Sequence, residues 1–470
     1  MRLIRPARLA AFLLLLPQFV SAAEVDGSQL SAAWGIPFAG LLLSIALCPL
    51  LATRFWHHHY GKATAAWALA FLLPFAALFG LPAAGTAVVH TVVGEYLPFV
   101  ILLAALFAVS GGIYIRGNLH GSPALNTGIL AIGAVLASFM GTTGASMLLV
   151  RPLIRANDNR RHSAHVFVFF IFIVSNAGGS LTPLGDPPLF LGFLQGVDFF
   201  WTLRHLLPMT AFLVGALLVL FYALDSWYYR RREEVRPRDP TPDTRGIGFE
   251  GARNFWLLAA IVALVLASGV WKSPVRFDVF GAEIGLPDLV RDLGLVLVAV
   301  VSMAITPRQV HEANQFSWGP MLEVAKLFAG IFLTIIPVIA MLRAGMHGAF
   351  APVVAAVTRP DGTPDPAMYF WASGVLSSFL DNAPTYLVFF NTAGGDAHHL
   401  MTELAPVLAA ISAGSVFMGA NSYIGNAPNL MVKAVVEDRG VTMPGFFGYM
   451  AWSVAVLIPL FLIITFAWFR

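Results

Sequence analysis

Long apolar runs separated by short polar or basic segments recur along the chain. A helix needs about 20 apolar residues to cross the hydrocarbon core of a bilayer. Runs at about 34–53, 64–83 and 96–115 fit that length. The first two are joined by a predicted loop, Arg54-Phe-Trp-His-His-His-Tyr-Gly-Lys62. After residue 121 the pattern changes. A run to about 138 meets the polar break Gly141-Thr142-Thr143-Gly144, and Met147–Ile154 then leads into the basic stretch Arg155–Arg161. Each arm falls short of a full crossing, so a re-entrant hairpin is expected over about 122–156. Residues 165–196 read as a crossing with polar interruptions, and 206–229 as a return. The charged, proline- and glycine-bearing stretch 230–252 reads as a cytoplasmic linker between two membrane halves, 24–229 and 253–470. The second half repeats the order: helices at about 254–271, 292–306 and 321–342, a hairpin at about 350–393, an interrupted span at 402–436 and a last helix at 445–469.

Composition sets the medium. The chain is 58% apolar and 11% charged, with a mean hydropathy of +0.77. Soluble domains carry about 25% charge, so a water-facing surface is excluded and the fold class is an all-α polytopic membrane protein. The net charge of +3 does not point to nucleic acid, because the basic residues sit in short loops. Seventeen Lys and Arg fall on one predicted side and seven on the other, which puts the first group inside. That assignment suits a bacterial inner membrane. Residues 1–23, with Arg2, Arg5 and Arg8, a leucine-rich run and the small residues Ser21 and Ala23, read as a cleaved signal peptide, the alternative being one more uncleaved helix. Cys48 is the only cysteine and lies in an apolar run, which gives an inert thiol and no Cys-based metal site. His57–His59 read as interfacial loop residues rather than metal ligands.

The strongest signal is an internal repeat. Val135-Leu-Ala-Ser-Phe139 recurs as Val375-Leu-Ser-Ser-Phe379, an offset of 240, and each block leads into the break of a hairpin. The same offset lays Thr182-Pro-Leu-Gly185-Asp-Pro-Pro188 over Ser422-Tyr-Ile-Gly425-Asn-Ala-Pro428. With the first hairpin opening inward and the second outward, the halves form two inverted-topology repeats, each with a re-entrant hairpin and a broken transmembrane helix. Secondary transporters are built this way and bind near the repeat interface. Breaking a helix within a bilayer frees amides and carbonyls that cost several kcal/mol each unless something polar satisfies them.

The four breaks therefore define the candidate site: Gly141, Thr142 and Thr143; Ser175, Asn176, Thr182 and Asp186; Asp381, Asn382, Ala383 and Thr385; and Asn421, Ser422 and Asn426. Their hydroxyls, amide oxygens and carbonyls are hard ligands suited to a small cation such as sodium. Asp186 and Asp381 add acids at membrane depth and are the candidates for proton coupling. Each has a second reading, as the N-cap of the helix that resumes after its break. Glu323 and Lys326, three apart, could pair on one helix.

Gly178-Gly-Ser-Leu-Thr-Pro-Leu-Gly-Asp-Pro-Pro188 resembles the Gly-Gly…Thr-Pro-Ile-Gly-Thr-Pro-Pro-Asn segment of the ion transporter superfamily, and Gly425-Asn-Ala-Pro-Asn429 resembles its second copy. That superfamily includes divalent-anion/sodium symporters, citrate transporters and NhaD-type sodium/proton antiporters. The resemblance covers most of residues 90–470. It implies a scaffold domain that forms a homodimer, a transport domain holding both hairpins, and two cation sites. One would use Thr142, Thr143 and Thr182, the other Asp381, Asn382, the Ala383 carbonyl and Ser422. The hairpin tips read Gly-Thr-Thr and Asp-Asn-Ala, where the symporters carry Ser-Asn-Thr at both. An Asp at a tip repels a carboxylate, so sodium/proton antiport is expected ahead of sodium- or metal-coupled uptake of citrate or another di- or tricarboxylate. The expected partners are small ions, the lipid bilayer and a second copy of the chain, with no cofactor beyond sodium and protons. No nucleophile–base pair or phosphate loop points to an enzyme.

Overall fold

The computed structural model describes residues 26–117, 119–231, 234, 246 and 248–470. The expected signal peptide and most of the linker's charged stretch lie outside the described residues. Helix follows helix for nearly the whole length. The first half comprises α1 (Ile36–Leu51), α2 (Thr53–Phe79), α3 (Leu81–Thr91), α4 (Leu97–Gly111), α5 (Pro123–Met140), α6 (Thr142–Ala156), α7 (Ala164–Ile173), α8 (Pro187–Leu194) and α9 (Trp201–Tyr229). The second comprises α10 (Asn254–Val270), α11 (Leu286–Ile305), α12 (Arg308–Ala313), α13 (Gly319–Thr334), α14 (Ile336–Arg343), α15 (Ala351–Ala356), α16 (Pro366–Phe379), α17 (Asn382–Thr392), α18 (Ala397–Thr402), α19 (Ala405–Phe417), α20 (Ala427–Asp438) and α21 (Phe446–Trp468). Two small antiparallel pairs complete the described fold: β1 (Tyr114–Arg116) with β2 (Gly248–Glu250), and β3 (Arg276–Val279) with β4 (Ala282–Gly285).

Among the described residues seven helical segments are long and apolar enough to cross a bilayer, and the pair α13–α14, bent by 43°, makes an eighth. Large apolar side chains such as Leu51, Trp256 and Phe447 stand more than three-quarters exposed, as lipid-facing residues must. The chain is a polytopic all-α membrane protein.

Several sequence expectations shift. The loop expected at 54–62 is helical and belongs to α2, so the first two runs are separated only at Ala52. The ring nitrogens of His58 and His59 meet the carbonyls of Arg54 and Phe55 one turn earlier. A basic, histidine-rich stretch without proline still propagates a helix already nucleated on its apolar side. The run at 96–115 starts earlier, because α3 continues through a π-helical turn, Val92–Tyr96, into α4. The arm α5 has 18 residues and is itself long enough to cross, which the expectation of two short arms did not allow. Strand β2 lies inside the expected linker and ties it to β1. Lys326 does not meet Glu323; its ammonium stands 5.5 Å from the centre of the Tyr60 ring.

The repeat is visible element by element. Adding 240 to the first residue of α6 gives the first residue of α17, and 240 added to the first residue of α8 gives that of α20. Helices α7 and α19 begin within a residue of that offset, and the 3-10 segments Ala177–Leu181 and Met418–Asn421 correspond to within a residue. The two breaks also share backbone conformation. Thr182 and Ser422 lie at φ/ψ of −138/160 and −141/170, and Asp186 and Asn426 at −142/143 and −152/137. Packing exchanges the halves: α6 of the first lies on α20 of the second, and α17 of the second on α8 of the first. Reciprocal contact of this kind is what a two-fold relation between copies produces.

Candidate functional site

Each break is held open by side chains from the adjacent hairpin arm. The Ser138 hydroxyl donates to the Gly178 carbonyl at 2.6 Å, and its mate Ser378 donates to Met418 O at 3.1 Å. Thr182 returns a bond to the Ser138 carbonyl, and Ser422 returns one to the Ser378 carbonyl. The same two hydroxyl oxygens accept the amides of Leu184 and Ile424, each at 3.2 Å. One carbonyl and one amide freed by each break are thus satisfied within the protein. Thr182 and Ser422, expected as cation ligands, brace the breaks through these bonds. Ser138 and Ser378 were within the repeated pentapeptides, and their shared offset was the signal that marks them.

Glycine makes the chain crossing within each break possible. A Cβ on Gly185 would meet the Gly179 Cα at 3.0 Å, and one on Gly425 would lie 2.7 Å from the Gly419 carbonyl oxygen. At the first hairpin tip Gly141 takes φ +80, which L side chains rarely adopt, and so lets α6 start with the Thr142 amide bonded to the Gly185 carbonyl at 2.8 Å.

The two candidate acids separate here. Asp381 caps α17: its carboxylate accepts the Ala383 amide at 3.1 Å, and the Thr385 hydroxyl donates to its backbone carbonyl at 2.9 Å. Asp186 precedes α8 in the capping position but makes no capping bond. Its carboxylate, 1% exposed, accepts Thr142 Oγ1 at 2.9 Å, the Asn382 amide, and Asn426 Nδ2 at 3.5 Å. One carboxylate therefore meets both hairpin tips and the other half's broken helix. Both tips converge on this single acid.

Symmetry explains the convergence. Asn426 is the 240-offset mate of Asp186, and Asn382 is the mate of Thr142. Asp186 touches its own mate at 3.5 Å, so the carboxylate lies where the two repeats meet. Around it, Asn426 also donates to the Ser175 carbonyl and to Asn176 Oδ1 at 3.1 and 3.2 Å. Asn176 in turn donates to Asn429 Oδ1 at 2.7 Å, and the Ser175 hydroxyl pairs with Ser146 at 2.8 Å. Asn429 and Ser146 were not among the expected residues. Asn421 donates to the Ser378 hydroxyl at 2.9 Å, away from the acid. Ala383 is buried in the second tip, and Thr143 is half-buried beside Thr142.

The donors that reach Asp186 are all neutral. Asn382 Oδ1 is buried and has no hydrogen-bond partner, although the amide nitrogen of the same side chain holds Asp186. A carboxylate and a free amide oxygen side by side are hard donors of the kind a small cation takes.

Residues 27–469 match the family described as "Putative citrate transport". The chain belongs to this family. It is also 22% identical over 373 residues to proteins called uncharacterized transporters in Mycobacterium bovis and Mycobacterium tuberculosis, covering 76% of this chain and 80% of each relative. A 46 kDa membrane protein of Mycobacterium leprae is 23% identical over 347 residues, or 72% of this chain and 75% of the relative. Family membership and the membrane-spanning fold make the chain a multi-pass membrane transporter.

Proposed function

We propose that the protein exchanges sodium for protons across a bacterial inner membrane by alternating access, with Asp186 binding the two in turn. The observation that carries this reading is the Asp186 carboxylate, buried and touched only by neutral donors among the described residues. A buried bare anion without a basic partner is expensive. Either a proton or a cation relieves that cost, and one carboxylate cannot hold both. Competition for a single group is the simplest basis for exchange. Asn382 Oδ1 and the neighbouring carbonyls complete the cation's oxygen shell. Asp381, at the same tip as Asn382, adds negative charge near the site while capping α17.

The broken helices supply the moving parts. Because α6 and α17 each pack on the other half's broken helix, a displacement of one hairpin unit must carry the site with it relative to α4 and α14. Inverted repeats supply two such arrangements of similar energy, one open to each side. The reading places the wild-type protein as a homodimer formed through its scaffold helices.

The second reading, sodium-coupled uptake of citrate or a related carboxylate, is favoured by the family description. Purified protein in proteoliposomes with an imposed pH gradient separates the two. Sodium-dependent proton release without carboxylate supports exchange. Sodium-dependent uptake of labelled citrate or succinate, with no proton movement in its absence, overturns it.

A further inference from the structure

A second polar feature lies well away from Asp186. The gap between α4 and α6 is lined by Phe107, Ser110 and Gly111 on one side and Gly144, Met147 and Arg151 on the other, with Asn314 and Phe316 closing one end. The α6 residues fall three and four apart, on one face of the helix. Arg151 lies nine residues beyond Thr142, or about 13 Å along the helix from the hairpin tip. Its side chain is nearly buried, at 7% exposure. One nitrogen, Nη2, donates to Gln315 Oε1 at 3.1 Å, while Nε and Nη1 have no partner. The Ser110 hydroxyl, buried on the facing helix, has none either. No carboxylate among the described residues pairs with Arg151, and the charged groups near it, Arg155 and Arg439, carry the same sign.

An arginine cannot shed its charge, and a buried unpaired charge costs several kcal/mol. Whichever Nη2 hydrogen Gln315 takes, the other completes a two-pronged edge with Nε or Nη1. Such an edge matches the paired oxygens of an oxyanion. The other hairpin offers a control within the same molecule. Its equivalent position, 240 further on, is Asn391, whose side-chain oxygen accepts Arg343 Nε at 2.7 Å. That latch is satisfied, whereas the one at Arg151 has donors to spare. We propose that Arg151 and Ser110 form a binding site for a small oxyanion, a carboxylate or an inorganic oxyanion, that bridges the hairpin arm α6 to the scaffold helix α4. The cavity itself has room for about one water-sized group, so one anion oxygen enters it and the rest of the anion lies toward Arg155 and Arg439.

Thermal unfolding of the purified full chain in detergent tests the site, with acetate, citrate, sulfate and phosphate each titrated against chloride at constant ionic strength. A saturable rise in Tm with at least one oxyanion, and none with chloride, is expected. Its apparent affinity should fall by about 30-fold or more in Arg151→Gln and by about tenfold in Ser110→Ala, as loss of bonds to a charged group predicts. Acetate or citrate acting alone identifies a carboxylate ligand, and sulfate or phosphate acting alone an inorganic one. Asp186→Asn should keep the oxyanion response while losing any response to sodium, so this site and the exchange reading can fail separately. If Arg151→Gln does not fold, Arg151→Lys and Ser110→Ala decide. The proposal is overturned if no oxyanion stabilises the wild-type chain, if chloride matches the oxyanions, or if the affinity is unchanged in these variants.

Discussion

Replacing Asp186 by Asn tests the centre of the structure. The substitution keeps the size and planarity of the side chain and removes its charge. Three donors now meet a neutral group that itself carries an NH2, so at least one of the bonds from Thr142, Asn382 and Asn426 is lost. That costs about 1–3 kcal/mol of stability, which a well-packed chain of this size survives. The effect on the cation is larger. A unit charge about 4 Å away contributes about 4 kcal/mol at an effective dielectric of about 20, equivalent to nearly three orders of magnitude in Kd. Sodium binding followed by calorimetry from pH 6 to pH 9 supplies the assay. In the wild type, protons and sodium compete for one carboxylate, so affinity should fall as the pH drops, by up to a decade per unit where the carboxyl is mostly protonated. In Asp186→Asn both the binding and its pH dependence should disappear. Asp381→Asn is the comparison: Asn caps a helix as well as Asp does, so α17 keeps its cap and sodium affinity should change by less than about tenfold. Sodium binding by Asp186→Asn within tenfold of wild type, or its abolition by Asp381→Asn alone, would refute the reasoning.

Three further outcomes concern the frame around the site. Ser378 bonds to Gly374 and Met418 and accepts Asn421, so Ser378→Ala should lower stability by about 1–3 kcal/mol, and Ser138→Ala by a similar amount, read as a drop in Tm. Gly185→Ala and Gly425→Ala push a Cβ into backbone atoms of Gly179, and of Ser377 and Gly419, respectively. Each should cost about 1–3 kcal/mol or more and lower ion flux in vesicles, and full wild-type flux with an unchanged Tm would contradict the geometry. Arg160 and Asp225 form a fully buried ion pair at 2.7 Å, with His165 on the same carboxylate oxygen at 2.8 Å and Asn126 on the other at 3.0 Å. Arg160 also reaches the buried Glu234 at 3.3 Å, so Arg160→Gln, which strips a cation from two buried carboxylates, should destabilise by about 3–5 kcal/mol, and Asp225→Asn, which leaves Arg160 its Glu234 partner, should cost less.

The repeat was legible because it survives as short matching blocks at one offset, and the breaks because glycine, proline and polar residues interrupt apolar runs. The Arg160–Asp225 pair was not. Its members come from the α6–α7 connection and from α9, and a contact across 65 positions leaves no periodic trace in either segment. The two acids were indistinguishable in sequence, since Asp186 and Asp381 each precede a resumed helix that carries proline in its first turn. What separates them is direction: one carboxylate turns back on its own helix, and the other turns across the break.

That difference follows from symmetry more than from local propensity. Positions 186 and 426 meet, so whatever stands at one faces its counterpart at the other. Two acids there would sit within hydrogen-bonding reach and repel, and two amides would leave no charge for a cation. Asp opposite Asn gives one negative charge and a donor to hold it. The tips differ in the same way, Thr142 facing Asn382 across the same carboxylate. The repeated backbone builds the cradle twice over, and the unlike pairs make it hold a single charge. An Asn426→Asp substitution therefore adds a second acid where the fold provides for one. In the exchange reading it should raise the number of protons or sodium ions bound per chain, and calorimetric stoichiometry unchanged from wild type would show that position 426 does not share the site.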